Sequence, residues 1–331
     1  MSEVPALSIQ IVTWNSAEVI EDCLASLLAQ SSRSFELIVV DNASEDGTVV
    51  HVERAIAQGL PLQLVRSAGN AGFCGGQNLA LAQTRAPWVL FLNPDTTLPP
   101  DFVARACECI SQLSDDVGTL APLILLPDGN IDSSGLFLDR LRRVFDRGQG
   151  RPPARDLQEE DIMGCTGAAA FHRRAMLLDV AENGQVLDER LFAFYDDLDL
   201  SWRAQLRGWR CRFVPALSLT HRRAGRNAVR QTLGRRGRAR DQRLTLRNRL
   251  LVLLKCERGR DAVAALPWLL PYELARLVYV AIRAPRALLG YVDAARLAPS
   301  IWRSRRLVHS RSRPARLREQ PFFPYQTRDA S

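Results

Sequence analysis

ELIVVDNASEDGT, residues 36–48, decides the fold. Glu36–Val40 is a short apolar strand, and it ends in a run of turn and cap residues. A helix follows from about Thr48 to Gln58, and Gly59 stops it. The same unit recurs on either side. Leu7–Thr13 (LSIQIVT) is rich in β-branched residues and reads as a buried strand; Asn15 and Ser16 can cap a helix from Ala17 to about Leu28. Leu62–Val65 gives a third strand, and Trp88–Leu92 (WVLFL) a fourth that runs into NPDTTLPP. Short apolar strands alternating with helices predict an α/β fold with a mostly parallel sheet flanked by helices. In such sheets ligands bind outside the C-terminal ends of the strands.

Those ends carry the chemistry. After strand one come Thr13, Trp14 and Asn15; after strand two, Asp41, Asn42, Ser44 and Asp46. After strand three come Arg66, Gly69, Asn70, Gly72, Gly75, Gly76 and Asn78, and after strand four Asn93, Pro94 and Asp95. Each cluster alone is an ordinary turn; four on one sheet edge predict a ligand site. Trp14 offers a face for stacking a base, and Asp41 an acceptor for an imide N–H. Glycines let the backbone approach closely, and Arg66 can meet phosphate oxygens. Asp95 suits a hard divalent cation bridging a diphosphate. The pattern is neither GxGxxG nor GxxxxGK[ST], which argues against a dinucleotide fold and a P-loop.

IVTWNS, ELIVVDNASEDGT, NAGFCGGQNLAL and VLFLNPDT, in that order and spacing, resemble the family 2 glycosyltransferases, and within them bacterial rhamnosyltransferase-like enzymes. The resemblance covers roughly residues 7–255 and implies the GT-A fold, one nucleotide-binding α/β domain. It sets the family's DXD motif on Asn93–Asp95, with Asn in place of the first acid, and so one anionic metal ligand fewer. It also implies a late metal-binding histidine. His221 follows an apolar strand at the matching position; a plain hydrogen-bonded loop histidine is the competing reading.

The acceptor half, about 111–255, is less regular. Leu123–Asn130 reads as a strand entering a turn, with Ile131–Phe137 returning as a hairpin. The charged segment Arg140–Asp161 reads as an exposed loop, either an insertion or a substrate lid. Met163–Phe171 (MGCTGAAAF) is small and apolar, and leaves room for a sugar ring or for tight packing. FAFYDDLDLSWRAQLRGW, residues 192–209, places three carboxylates at the start of a helix that Gly208 ends. The resemblance sets the family's ED motif on Asp196–Asp197, with Asp197 as general base and Asp196 as the neighbour that raises its proton affinity. Asp199 and Arg203, spaced i, i+4, read as a structural pair.

The chain has 331 residues and a net charge of +8, with most of the excess after residue 202. Arg222–Arg243 reads as a solvated segment or as a mobile loop closing on a diphosphate or an anionic lipid-linked acceptor. Nucleic acid is disfavoured, because no RNA- or DNA-binding signature accompanies the charge. The RN pair at Arg247 and Asn248 has no role legible in the sequence. Residues 256–331 read as an amphipathic helical extension. Asp261–Ile282 is apolar, but two prolines, Glu273 and Arg276 argue against a spanning helix. Its aromatics among arginines suit an anionic membrane surface, and packing on the catalytic domain or in a homo-oligomer is the other reading. Seven cysteines without a CxxC pair fit a reducing cytosol, and no signal peptide is expected.

The sequence thus predicts an inverting glycosyltransferase that is peripheral at the cytoplasmic face of the membrane and dependent on Mg2+ or Mn2+. It would move a sugar from a nucleotide-diphosphate donor, dTDP-rhamnose ahead of a UDP-sugar, to a lipid-linked or glycan acceptor. A nucleotidyltransferase and a non-catalytic nucleotide-sugar-binding protein are the rivals.

Overall fold

The computed structural model describes residues 5–313; of residues 224–236, 238 and 260 it describes the backbone alone. The first half alternates as expected: β1 Leu7–Thr13, α1 Ala17–Leu28, β2 Phe35–Asp41, α2 Thr48–Ala57, β3 Leu62–Arg66, α3 Gly72–Leu81, β4 Trp88–Leu92, the two-residue β5 Thr96–Thr97 and α4 Phe102–Ser111. The second half runs β6 Val117–Leu125, β7 Ile131–Ser133, β8 Leu136–Leu138, β9 Val144–Asp146, β10 Glu160–Ile162, β11 Ala169–Arg173 and α5 Arg174–Val180. It continues with α6 Asp196–Leu206, β12 Arg210–His221, α7 Ala224–Cys256, α8 Gly259–Arg283 and α9 Leu289–Ser310.

Eight strands lie side by side in the order β10-β12-β6-β11-β4-β1-β2-β3. The pairs β4–β1, β1–β2 and β2–β3 are parallel, and β11 is inserted antiparallel to both β4 and β6. Helices cover both faces, which is why β1, β2 and β4 are apolar without strict alternation. Leu7, Ile9 and Ile11 of β1 pack with Leu37 and Val39 of β2 and Leu90 and Leu92 of β4 in the main core. The register Thr13↔Asp41↔Arg66 sets the three parallel strand ends level, so the loops that follow meet at one edge.

Two segments differ from the sequence reading and a third adds to it. Gly72–Leu81, to which the sequence reading assigns no element, is α3: Gly72 enters it at φ +73° and is followed by FCGGQNLAL. Residues 140–161 contain β9, which pairs with β8, and residues 160 and 161 begin β10. Within this segment Arg142 is buried, bonded to Glu257 at 2.7 Å. The arginine-rich run from residue 224 is helical and runs unbroken through Arg247 and Asn248 to Cys256.

The extension splits into two kinds of helix. Ala294, Ile301 and Val308 of α9 join one apolar cluster with Leu198 and Trp202 of α6 and Leu251 of α7. In contrast, α8 exposes Trp268, Leu270, Leu274, Val278, Tyr279 and Ile282. The two charges in its middle turn inward: Glu273 accepts from the Arg249 guanidinium at 2.8 Å and lies 3.7 Å from Arg276. With Pro267 and Pro271 inside it, α8 is one continuous helix, long and apolar enough by length and composition to cross a membrane. Five cysteines are buried and two half-buried, all unbridged, and burial raises their thiol pKa values.

Candidate active site

A cleft of about 350 Å³ opens at the C-terminal sheet edge. Thr13 and Trp14 line it from the end of β1, Asn42 from β2, Asn70 and Gly72 from the entry to α3, and Asn93 and Asp95 from the end of β4. His221 lines it from the end of β12, and Asp196 and Asp197 from the first turn of α6. Residues 208 positions apart in the chain therefore share one cavity, and the topology explains how.

Asp95 and His221 meet through strand pairing. β5 runs antiparallel to β12 in the register Thr96↔His221, and the Arg222 amide donates to the Asp95 carbonyl at 2.9 Å. His221 Nε2 then lies 3.1 Å from Asp95 Oδ1. Its Nδ1 lies 2.7 Å from Asp132 Oδ2. Burial pulls the His221 pKa down, but the hydrogen bonds and charges of Asp132 and Asp95 outweigh it and raise it to about 9. Asp132 is lowered: burial opposes ionisation, and His221 and Arg223 overcome it. With Nδ1 held by a carboxylate, Nε2 is the nitrogen presented to Asp95, the arrangement in which imidazole serves as a metal ligand. Among the described residues no three acidic, histidine or cysteine side chains are grouped to hold an ion by themselves. The donor set fits a hard divalent cation that takes two ligands from the protein and the rest from phosphate oxygens and water.

The acidic pair is held by strained backbone. Phe192, Phe194 and Tyr195 have φ of +67°, +71° and +64°, a region bulky residues avoid. Asn248, fully buried on α7, holds this turn: its amide nitrogen lies 2.8 Å from the carbonyls of Leu191, Ala193 and Phe194. Arg247 donates to the carbonyls of Arg190 and Leu191 at 2.7 and 2.9 Å. The RN pair is thus the clamp on the segment that aims Asp196 and Asp197. The turn is also joined to the entry of α3. The Cys74 amide donates to the Phe192 carbonyl at 3.1 Å, and a Cβ on Gly72 would lie 2.4 Å from that oxygen. Only glycine fits there.

Asp196 and Asp197 differ in environment. Asp196 is 7 % exposed, whereas Asp197 is half-buried. Burial, and then the charge of Asp197, push Asp196 up to about 8 although the amides of Asp196 and Phe194 donate to it. The raised proton affinity that the sequence reading gave to Asp197 is thus found at its buried neighbour Asp196. One oxygen of Asp197 accepts from the Leu198 amide at 2.8 Å. Asp199, as expected, is structural, bonded to Arg203 at 2.9 Å.

Four expected donor-site residues lie outside the cleft lining. Arg66 is largely exposed and paired with Glu53, because β3 is the sheet's edge strand, two strands removed from β1. Asn78, two turns into α3, spends its amide on Leu187 and Glu189. Asn15 caps the Glu45 amide at 2.9 Å. Asp41 lies behind Thr13, accepting from its hydroxyl at 3.1 Å and from the Ser44 amide. Conversely, Asp132, Arg223 and Asn248 escaped sequence reading. Asp132 reaches His221 only because β7 folds back on β6, a pairing that a sequence shows as a hairpin and not as a site.

The sequence profile of glycosyl transferase family 2 matches residues 8–177. The chain is 26% identical over 245 residues to the N-acetylglucosaminyl-diphospho-decaprenol L-rhamnosyltransferase of Mycobacterium tuberculosis, covering 66% of this chain and 76% of that one. It is 37% identical over 196 residues to the uncharacterized glycosyltransferase YfnE of Bacillus subtilis, covering 58% and 45%. Among solved structures, the mannosyltransferase PcManGT of Pyrobaculum calidifontis, in complex with GDP-Man and Mn2+, superposes with a TM-score of 0.55 at 20% identity, over 96% of this chain and 86% of that one. S. aureus TarS 1-349 in complex with UDP gives 0.54 at 18% identity, over 98% and 94%. The shared architecture is the GT-A fold.

Proposed function

The chain belongs to glycosyl transferase family 2, and we propose that it is an inverting enzyme that moves a sugar from a nucleotide-diphosphate donor to an acceptor hydroxyl. One observation carries this: the Asp95–His221 pair, from the ends of β4 and β12, and the Asp196–Asp197 pair, from the first turn of α6, face one cleft. Trp14 would stack the base, and Asp41, through Thr13, would set the edge that holds it. Asp95 and His221 would hold Mg2+ or Mn2+, which when bound neutralises charge on the departing diphosphate. His221 would release its Nε2 proton on coordination, and Asp132 would keep its ring oriented.

Asp197 would accept the proton of the acceptor hydroxyl as its oxygen bonds to the anomeric carbon. The bond from that carbon to the diphosphate breaks on the opposite face, and the nucleoside diphosphate leaves. Asp196, protonated through most of the neutral range, would leave a single charge beside the oxocarbenium-like centre.

The mycobacterial relative supports rhamnose and a lipid-diphosphate acceptor. The exposed apolar face of α8, flanked by Arg283 and Arg286, supports seating at an anionic membrane surface. The donor is tested by thermal shift with dTDP-, UDP- and GDP-sugars, with and without Mn2+. A bound donor at a hundred times its Kd adds about 2.7 kcal/mol of apparent stability. The proposal expects one nucleotide class to raise Tm only with metal, and Asp95→Ala to abolish the metal effect. No shift with any nucleotide would remove the donor site.

A further inference from the structure

Beside the cleft, α7 and α9 enclose a second groove of about 400 Å³. Arg240, Arg243 and Arg247 line it from α7, and Asp293 and Arg296 from α9. Four arginines thus line the groove with one carboxylate, and of these Arg247 already donates to the Arg190 and Leu191 carbonyls. That carboxylate is taken by Arg243, at 2.5 and 2.8 Å. Among the described residues no carboxylate pairs with Arg240 or Arg296. Burial, with the charge of Arg243 adding to it, lowers the pKa of half-buried Arg247 against the pull of Asp293. Cations crowded this way are stabilised by an anion from outside the chain.

Two features say which anion. Arg240 and Leu244 line both the groove and the cleft, so the two cavities adjoin. Arg240 also lies 4.7 Å over the ring of Phe192, in the turn that aims the acidic pair. Leu289 and Val292 of α9 are exposed within a turn of Asp293, and the chain enters α9 from the end of α8, where Ile282 is exposed, through the short turn Pro285–Leu288. An occupant would meet catalytic carboxylates at one end, arginine forks in the middle and apolar surface at the other. Paired guanidinium forks suit phosphate oxygens. Sugar, diphosphate and hydrocarbon chain in that order match the groove.

We propose that the α7–α9 groove seats the diphosphate of an isoprenoid-diphosphate-linked acceptor, with the acceptor sugar in the cleft and the chain leaving along α9 toward α8. The assignment rests on the transfer reading above and deepens it. It sets the acceptor phosphates apart from those of the donor, which lie with Asp95 and His221.

The test is calorimetric titration of the full-length chain with geranyl diphosphate, geraniol and inorganic pyrophosphate, before and after saturation with UDP and Mn2+. Arg296→Glu is the variant, because Arg296 is exposed and lines the groove but not the cleft. The expected result is saturable binding of geranyl diphosphate that UDP does not displace, none of geraniol, and weakening by about tenfold or more in Arg296→Glu at unchanged Tm and UDP affinity. Absence of saturable binding, displacement by UDP, or equal affinity in the variant overturns the assignment. So does a variant that loses binding to vesicles containing phosphatidylglycerol while keeping geranyl diphosphate, since the groove would then serve bilayer headgroups. The two readings separate: nucleotide binding without geranyl diphosphate binding removes the groove alone, and the reverse removes the transfer reading and keeps the groove.

Discussion

The first turn of α6 carries acids of two kinds, and they differ in what surrounds them. Asp199 is buried in a balanced cluster: Glu182, Asp188 and Asp199 against Arg190, Arg203 and Lys255. Arg203 also donates to the carbonyls of Val180 and Val186. Two and three positions earlier, Asp197 and Asp196 face a cleft, and Asp196 is pushed up to about 8. Charge of one sign within one helical turn is structural where cations and carbonyls meet it, and chemically poised where the fold leaves it beside open space.

Substitutions should therefore separate by face. Asp199→Asn leaves Arg203 and Lys255 short of a charge, and should cost about 3–5 kcal/mol of stability, read as a fall in denaturation midpoint. Unchanged stability would mean the cluster does not hold α6. Asn248→Ala sits between the two regions. It removes the donor shared by three carbonyls and should cost about 1–3 kcal/mol. It should also lower kcat more than donor affinity, because the acidic turn relaxes while the nucleotide edge stays. Equal loss in both would make Asn248 a plain core residue.

The effect that depends on pH is on the cleft side. An acid with a folded pKa raised to about 8 holds its proton where the unfolded chain, near 4, has lost it. Folding stability should then fall as pH rises from about 4 to about 8, and level off above. Asp196→Asn should remove this fall, raising Tm at pH 8 and leaving it unchanged at pH 4. A parallel pH profile would mean Asp196 ionises normally.

Much of this was legible beforehand, for a physical reason. β1, β2 and β4 are buried on both faces, so their apolar runs and the polar residues ending them stand out in sequence. Asp95 stood out because it follows a strand, whereas His221 and the Asp196–Asp197 pair were given their roles by the resemblance; the fold brings all four to one cleft. Asp132 was not, because it reaches His221 across 89 positions through a strand pairing. Arg66 misled because the edge strand β3 carries it away from the cleft. Asn248 could be seen as part of a pair but not read, since its partners are carbonyls in a left-handed turn 54–57 positions earlier.

The measurement closest to the central claim follows donor binding and sugar transfer on one preparation of Asp197→Asn. The account predicts a wild-type Tm, a wild-type metal-dependent shift with the donor that the wild type prefers, and transfer reduced by about 10²–10⁴-fold. Transfer at the wild-type rate would contradict Asp197 as the base, and a lost donor shift would place it in binding instead.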